Sequence, residues 1–372
     1  MAIDPPAYGE RDAMQAALAL GRRGLGAVWP NPAVGCVIVR DGRIVGRGWT
    51  QPGGRPHGET EALRRAGDAA QDATAYVSLE PCCHWGQTPP CADALIKAGV
   101  RRVVVALEDP DPRVAGEGLR RLRAAGLQVE TGLCAEEAGA INVGFFSRLR
   151  LGRPFVTLKL ATSLDGRIAT RSNESRWITG PAARDRAHAL RASHDAIMVG
   201  SGTVTADDPQ LTCRLPGLSK RSPVRVVVDR HLAIRCDTRL VADAKEVPTW
   251  VITLPSADRA RRQALLDRGV VVIEAGADAG GGIDFAAALA ALGERGITRL
   301  LVEGGGQLAA ALARARLVDA LVWVHAPLLI GGDGIPAVAG LDLEILAHAP
   351  RFERLSAETI DGDVLTALRY RE

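Results

Sequence analysis

Short apolar runs alternate with segments of helical periodicity along nearly the whole chain, and this alternation constrains the fold more than any other feature. After a helical segment at residues 9–24, residues 33–39 and 43–49 read as strands joined by Asp41-Gly42, a two-residue hairpin signal. Residues 58–67 have helical spacing and stop at a glycine. Strands follow at 74–80, 101–107 and 127–132, separated by helical stretches at 91–99 and 116–126. Strands that alternate with helices build a largely parallel sheet flanked by helices, an α/β architecture.

The pattern restarts at "PFVTLKLATSLDG", residues 154–166. Further strands are expected at 196–204, 224–229, 249–253, 269–276, 297–305 and 321–327, with helices at 182–193, 257–269, 285–296 and 307–317. A chain of 372 residues exceeds one typical domain and points to two. "SRLRLGRP" (147–154) is basic and ends in Gly and Pro, so the boundary is set there, giving domains 1–150 and 151–372. "GADAGGGID" (276–284) is the one loose loop and is expected to be a solvent-exposed connection.

Charge and composition exclude several classes. The 46 basic and 43 acidic residues leave a net charge of +3, which argues against binding driven by phosphate neutralisation; no nucleic-acid partner is expected. No run reaches the length of roughly 18 uncharged apolar residues that a membrane span needs. The first residues, "MAIDPPAYGERD", lack a basic region followed by an apolar one, so a cytoplasmic protein is expected. Seven cysteines, an odd number, in such a chain read as reduced thiols.

Three of those thiols fall in "LEPCCHWGQTPPC", residues 79–91. Upstream, His57 and Glu59 stand where a Pro- and Gly-rich loop passes into a helix. One His and two thiolates, His57, Cys82 and Cys91, suit a catalytic zinc, because three protein ligands leave a fourth position for water. Zinc brings the pKa of that water near neutrality. A nearby carboxylate that is not a ligand, Glu59, then shuttles protons. Cys36 lies in an apolar run and reads as core. A structural zinc would need a fourth protein ligand, which Cys83 would have to supply.

In the second half, "LVEGGGQL" places three glycines between a strand and a helix, where backbone N–H groups can approach a phosphate. It is not the G-x-G-x-x-G pattern, and does not by itself indicate a Rossmann domain. "KLATSLDGRIA", "SRWITG" and "VGSGTVTADDPQLTCR" also stand out.

The His-x-Glu … Pro-Cys … Cys arrangement resembles the zinc-dependent nucleotide and nucleobase deaminases. Eight residues, not two, separate Cys82 from Cys91, and with "NPAVGCVIV" this resembles the deaminase half of the bifunctional riboflavin-biosynthesis deaminase/reductases. The second-half segments resemble the reductase half, in the same order, over about residues 8–370. The resemblance implies a cytidine-deaminase-like three-layer N-terminal domain and a dihydrofolate-reductase-like C-terminal domain. It implies Zn2+ and NADPH as cofactors and a small-molecule pyrimidine ribosylamine phosphate as substrate, with a homo-oligomer expected and no membrane partner. The reactions implied are deamination of 2,5-diamino-6-(5-phosphoribosylamino)pyrimidin-4-one and reduction of its ribosyl chain, giving 5-amino-6-(5-phosphoribitylamino)uracil.

By position, the resemblance assigns Asn31 and His84 to the deaminase substrate. Ser175, Arg191, Arg214 and Glu303 would hold the reductase substrate. Ala161, Trp177, Thr203, Asp207 and Gly304, Gly305 and Gly306 would contact the cofactor, with Asp207 also assisting protonation. Two departures stand out. Gly58 replaces the family's common Ala, which is expected to loosen the start of the helix carrying Glu59. Gln87 replaces a Lys or Arg that meets substrate phosphate, so His84 and an arginine from elsewhere would have to supply that charge. An RNA-editing deaminase with an RNA-binding second half is the rival reading, and the near-neutral charge and lack of an aromatic or basic platform weigh against it.

Overall fold

The computed structural model describes residues 9–86 and 89–371, and the chain divides between Leu151 and Gly152 into two compact units. The first unit runs α1 (Glu10–Arg22), β1 (Gly35–Arg40), β2 (Arg43–Trp49), α2 (Gly58–Ala66), β3 (Thr74–Val77), α3 (Cys91–Lys97), β4 (Arg102–Val105), α4 (Glu117–Ala124), β5 (Gln128–Thr131) and α5 (Ala135–Leu151). Its strands lie in the order β2-β1-β3-β4-β5. β1 is antiparallel to both neighbours, and β3, β4 and β5 are parallel. Asp41 and Gly42 take φ of 50° and 71°, the left-handed pair that a tight hairpin turn requires.

Side-chain alternation along these strands sorts the apolar residues into two cores. Val37, Val39, Tyr76 and Val104 cluster with Met14, Ala17 and Leu18 of α1 and with Ile141 of α5. Cys36, Ile38, Ala75, Val77, Val103 and Val105 cluster with Ala62, Leu95, Leu119 and Leu122 of α2, α3 and α4. The unit is therefore three layers, helix on sheet on helix.

The second unit continues with β6 (Phe155–Ser163), β7 (Arg167–Ala169), α6 (Pro181–Ala192), β8 (Ala196–Gly200), α7 (Ser201–Asp207), β9 (Val224–Val228), α8 (Arg239–Ala242), β10 (Thr249–Thr253) and α9 (Arg259–Asp267). It ends with β11 (Val271–Glu274), α10 (Phe285–Glu294), β12 (Arg299–Glu303), α11 (Gly306–Arg314), β13 (Ala320–Ala326), β14 (Ile335–Pro336), β15 (Arg351–Ile360) and β16 (Asp363–Arg371). Nine strands form one sheet in the order β11-β10-β9-β8-β12-β6-β13-β16-β15. The first seven are parallel, and β16 is antiparallel to both β13 and β15. Asp258 and Asp284 cap α9 and α10 by accepting N–H bonds from their first turns.

Three segments differ from the sequence reading. Residues 147–151, read as part of a junction, are the last turn of α5. Strand β8 stops at Gly200, and residues 201–204 begin α7. The β15–β16 hairpin was not anticipated, although its Asp361-Gly362 turn repeats the left-handed φ pair, 53° and 96°. Among the described residues no helix is long and apolar enough to cross a membrane.

Candidate active sites

In the first unit the chemistry-bearing residues sit where elements begin and end. His57 immediately precedes α2, Cys91 opens α3, and Cys82 lies in the loop after β3. Glu80 anchors that loop. Its buried carboxylate accepts the backbone N–H groups of Asp109 (3.1 Å), Gly116 (3.0 Å) and Leu119 (3.1 Å). A Cβ on Gly118 would lie 2.1 Å from the Pro81 carbonyl oxygen, so the start of α4 packs directly on the residue before Cys82. Gly58 acts similarly: a Cβ there would lie 2.8 Å from the Val34 carbonyl oxygen. The glycine thus lets the start of α2, which carries Glu59, pack close against the Val34 carbonyl.

His57 Nδ1 lies 3.6 Å from Cys82 Sγ and 3.3 Å from Cys91 Sγ, and all three donor atoms are within 4.8 Å of one another. A tetrahedral zinc with Zn–S of about 2.3 Å and Zn–N of about 2.0–2.1 Å needs S···N edges of about 3.6 Å. The three donors therefore fit three corners of such a site. The Cys91 thiol and backbone N–H, with His57, hold the Cys82 thiol down to about 4 against the opposing effect of burial. Thiolate is the form that binds a metal. Cys91, sharing with Cys82 and deeply buried, is pushed up.

Glu59 is 3% exposed, and burial pushes its carboxyl up to about 7, with His57 opposing. A carboxyl balanced near neutrality can take a proton and return it. Cys83 points elsewhere, its thiol donating to the Arg113 carbonyl oxygen at 3.5 Å. Cys36 is buried in β1 opposite Val77.

Asn31 packs on the loop leading to His57, its Nδ2 lying 1.8 Å from where a Cβ on Gly54 would be. His84 Nδ1 is buried with no hydrogen-bond partner among the described residues. Gln87 lies outside the described residues.

In the second unit a cavity of about 1230 Å³ opens at the carboxyl ends of β8, β9 and β12, where Gly200, Val228 and Glu303 line it. Open parallel sheets bind ligands at such crevices, and the volume exceeds that of an ordinary small-molecule pocket. Ala161, Ser175, Arg191, Thr203, Asp207, Glu303 and Gly304 to Gly306 all line it. Trp177 and Arg214 are not among the lining residues. Trp177 is 68% exposed beneath the Arg184 guanidinium, and Arg214 is exposed, its N–H donating to His188 Nδ1.

Gly304 and Gly305 both have φ of 85°, which other residues rarely adopt. A Cβ on Gly306 would meet the Pro336 carbonyl oxygen at 2.6 Å. Only glycines can make this turn from β12 into α11 at the cavity wall. The turn leaves a cradle bare of side chains, as close approach of a phosphate demands.

Arg191 and Glu303 hold each other. Nε and Nη2 donate to the two carboxylate oxygens at 2.8 and 2.7 Å, and Nη1 donates to the Thr212 carbonyl oxygen at 3.1 Å. Burial works to raise the Glu303 carboxyl, but Arg191, Lys159 and His188 outweigh it and hold it at about 2. The sequence reading gave each a separate hold on substrate, whereas the cavity meets them as one ion pair. Lys159, which that reading passed over, stands opposite Glu303 in the β6–β12 register and lines the same cavity. Burial lowers its pKa while Glu303 opposes. A rare lysine inside an apolar strand of an Arg-rich chain was the available signal.

The two aspartates of "DDP" separate clearly. Asp207 ends α7 and lines the cavity. Asp208 has φ of 38° and accepts the N–H of Arg239 at the start of α8, 2.9 Å away. The loose loop 276–284 is largely solvent-exposed, as expected, and Asp278, Gly282 and Ile283 also line the cavity.

The two folds and their sites define a zinc-type deaminase domain followed by an α/β reductase domain, a class of enzyme that joins two reactions in one chain. Residues 9–107 match the model of the cytidine and deoxycytidylate deaminase zinc-binding region, and residues 154–366 match that of the RibD C-terminal domain. The chain is 44% identical over 364 residues to the riboflavin biosynthesis protein RibD of Escherichia coli strain K12, covering 94% of this chain and 96% of that one. A solved structure of Acinetobacter baumannii RibD aligns with a TM-score of 0.87 at 39% identity, covering 97% and 99% of the two chains. The diaminohydroxyphosphoribosylaminopyrimidine deaminase/5-amino-6-(5-phosphoribosylamino)uracil reductase of Thermotoga maritima aligns with a TM-score of 0.85 at 33% identity, covering 97% and 98%. The chain belongs to the RibD family, the bifunctional deaminase/reductases of riboflavin biosynthesis.

Proposed function

We propose that the first domain removes the 2-amino group of 2,5-diamino-6-(5-phosphoribosylamino)pyrimidin-4-one by hydrolysis, and that the second reduces the ribosyl chain of the product with NADPH. The observation that carries the first half is the His57, Cys82 and Cys91 donor set beside a buried Glu59. These three side chains would hold zinc, which when bound supplies an activated water at neutral pH. Glu59 would take one proton from the attacking water and deliver it to the ring nitrogen next to the reacting carbon. It would then take the remaining proton of the new hydroxyl on that carbon and pass it to the departing amine, which leaves as ammonia while the carbonyl forms. Asn31 orients the pyrimidine ring by hydrogen bonds, and His84 faces the substrate from the 82–91 loop.

In the second domain the glycine turn 304–306 suits the cofactor's phosphates, and Ala161 and Thr203 line the wall beside it. NADPH supplies a hydride to the sugar's C1′ when bound. Asp207 assists the protonation of the ring oxygen as its bond to C1′ breaks. Ser175 and the Arg191–Glu303 pair hold the substrate in line, which is the protein's main contribution to such a transfer.

Glu59→Gln tests the assignment in the first domain. It abolishes ammonia release, while NADPH oxidation with supplied deaminated substrate continues at the parent rate. Ammonia release at the parent rate would remove Glu59 from the proton path.

A further inference from the structure

The cavity of the second unit continues past the glycine turn to the carboxyl end of β9, where Val228 and Arg230 line it. We propose that Arg230 binds the phosphate on the adenosine ribose of the cofactor and so selects NADPH over NADH. The inference deepens the reductase reading of the second domain and rests on it.

Lys159, Arg191, Arg230 and Arg314 are the basic residues lining this cavity. Arg191 is locked to Glu303, Lys159 stands opposite the same Glu303 across β6 and β12, and Arg314 pairs with Asp342 at 3.0 Å. Arg230 has no carboxylate partner among the described residues. Its Nε donates to His231 Nε2 at 2.9 Å, and its Nη1 reaches the Gly281 carbonyl oxygen at a long 3.4 Å. The Nη edge, part of the fork with which a guanidinium grips a phosphate, is therefore nearly unengaged.

The nearby carboxylates are engaged by backbone. Asp229 is buried and accepts the N–H groups of His231 at 3.3 Å and Ile234 at 2.7 Å. Asp278, which also lines the cavity, accepts those of Gly280 at 2.9 Å and Gly282 at 2.7 Å within its own turn.

Placement along the sheet decides which phosphate the guanidinium meets. In the order β9-β8-β12-β6 neighbouring strands lie about 4.8 Å apart, so the ends of β9 and β12 are about 10 Å apart. Lys159 and Ala161 of β6 lie on the opposite side of β12 from β9. A dinucleotide whose pyrophosphate rests on Gly304 to Gly306 therefore sends its nicotinamide towards β6 and its adenosine towards β9. Through Gly281 the Arg230 guanidinium touches the 276–284 loop, and there Ile283, with Phe285, lines the cavity and offers an apolar face to a base. Dinucleotide-binding α/β sheets accommodate the ribose 2′-phosphate with a nearby arginine, which a bare 2′-hydroxyl does not require.

The test uses the full chain and measures binding directly by calorimetry. The parent binds NADPH more tightly than NADH, and adenosine 2′,5′-bisphosphate more tightly than adenosine 5′-monophosphate. Arg230→Gln raises the Kd for NADPH and for the bisphosphate about 10- to 100-fold, the loss of a charge-assisted hydrogen bond. The Kd for NADH and for the monophosphate stays at the parent value, which also reports an intact cavity. Arg230→Lys, which keeps the charge but not the fork, lies between the two. An unchanged Kd for NADPH in Arg230→Gln, or an equal loss for NADPH and NADH, overturns the proposal. A parent that binds none of the four compounds would instead overturn the reductase reading itself.

Discussion

Glu303→Gln is the perturbation whose size the structure states most directly. The Arg191–Glu303 pair has side-chain exposures of 14% and 11%, so solvent screens it little. Its carboxyl is held at about 2 in place of 4.5. At 1.36 kcal/mol per pH unit that difference corresponds to about 3 kcal/mol of folding free energy at neutral pH. A second route agrees: removing one member of a buried, hydrogen-bonded pair costs about 3–5 kcal/mol, because the other charge is stranded. For a domain of this size each kcal/mol moves the melting temperature by about 2–4 °C. The second domain of Glu303→Gln should thus melt about 6–12 °C below the parent, by calorimetry on the whole chain. The sign with pH follows from a depressed carboxylate. The stabilisation is complete above about pH 4.5 and disappears as pH falls towards 2, so the two melting curves converge in acid. Reductase turnover falls and deamination is untouched. A melting temperature within about a degree of the parent at pH 7, or a gap that persists unchanged at pH 3, would refute the reasoning.

Cys82→Ser should lose zinc and deamination together, whereas Cys83→Ser keeps both; metal analysis of the purified variants decides, and zinc loss from Cys83→Ser would bring that thiol into the site. Asp207→Asn should lower reductase kcat by about 10²- to 10⁴-fold, the range of a lost general acid, and leave deamination alone. Asp208→Ala should instead cost about 1 kcal/mol of stability, seen as a lower melting temperature, because the start of α8 loses its acceptor. Unchanged reductase turnover in Asp207→Asn would remove that residue from the proton path.

What could be read before the structure follows from where each signal resides. The His57, Cys82 and Cys91 set was legible because each ligand lies at the end of a well-patterned strand or helix. Those junctions converge wherever a parallel sheet forms. Asp41-Gly42 was legible because a tight turn demands its own backbone angles. Helix α5 was missed because its apolar residues serve both cores. Ile141 packs with α1, while Phe145 and Phe146 join the cluster on the other face, so no single stripe marks it. The β15–β16 hairpin was missed because most of β15 is exposed and the apolar alternation is weak, although Asp361-Gly362 carried the same turn signal. Arg191 and Glu303, 112 residues apart, were both named, but only folding shows that each is the other's partner. Loop 276–284 joins the cavity through tertiary placement, which composition does not encode.

The most direct measurement follows ammonia and NADPH separately in one reaction. The protein is given the diaminopyrimidinone ribosylamine phosphate with and without NADPH. Two sites acting in order predict ammonia release without NADPH, and NADPH oxidation that begins only as deaminated product accumulates. Ammonia that forms only when NADPH is present, or NADPH oxidation that starts without a lag, would contradict it.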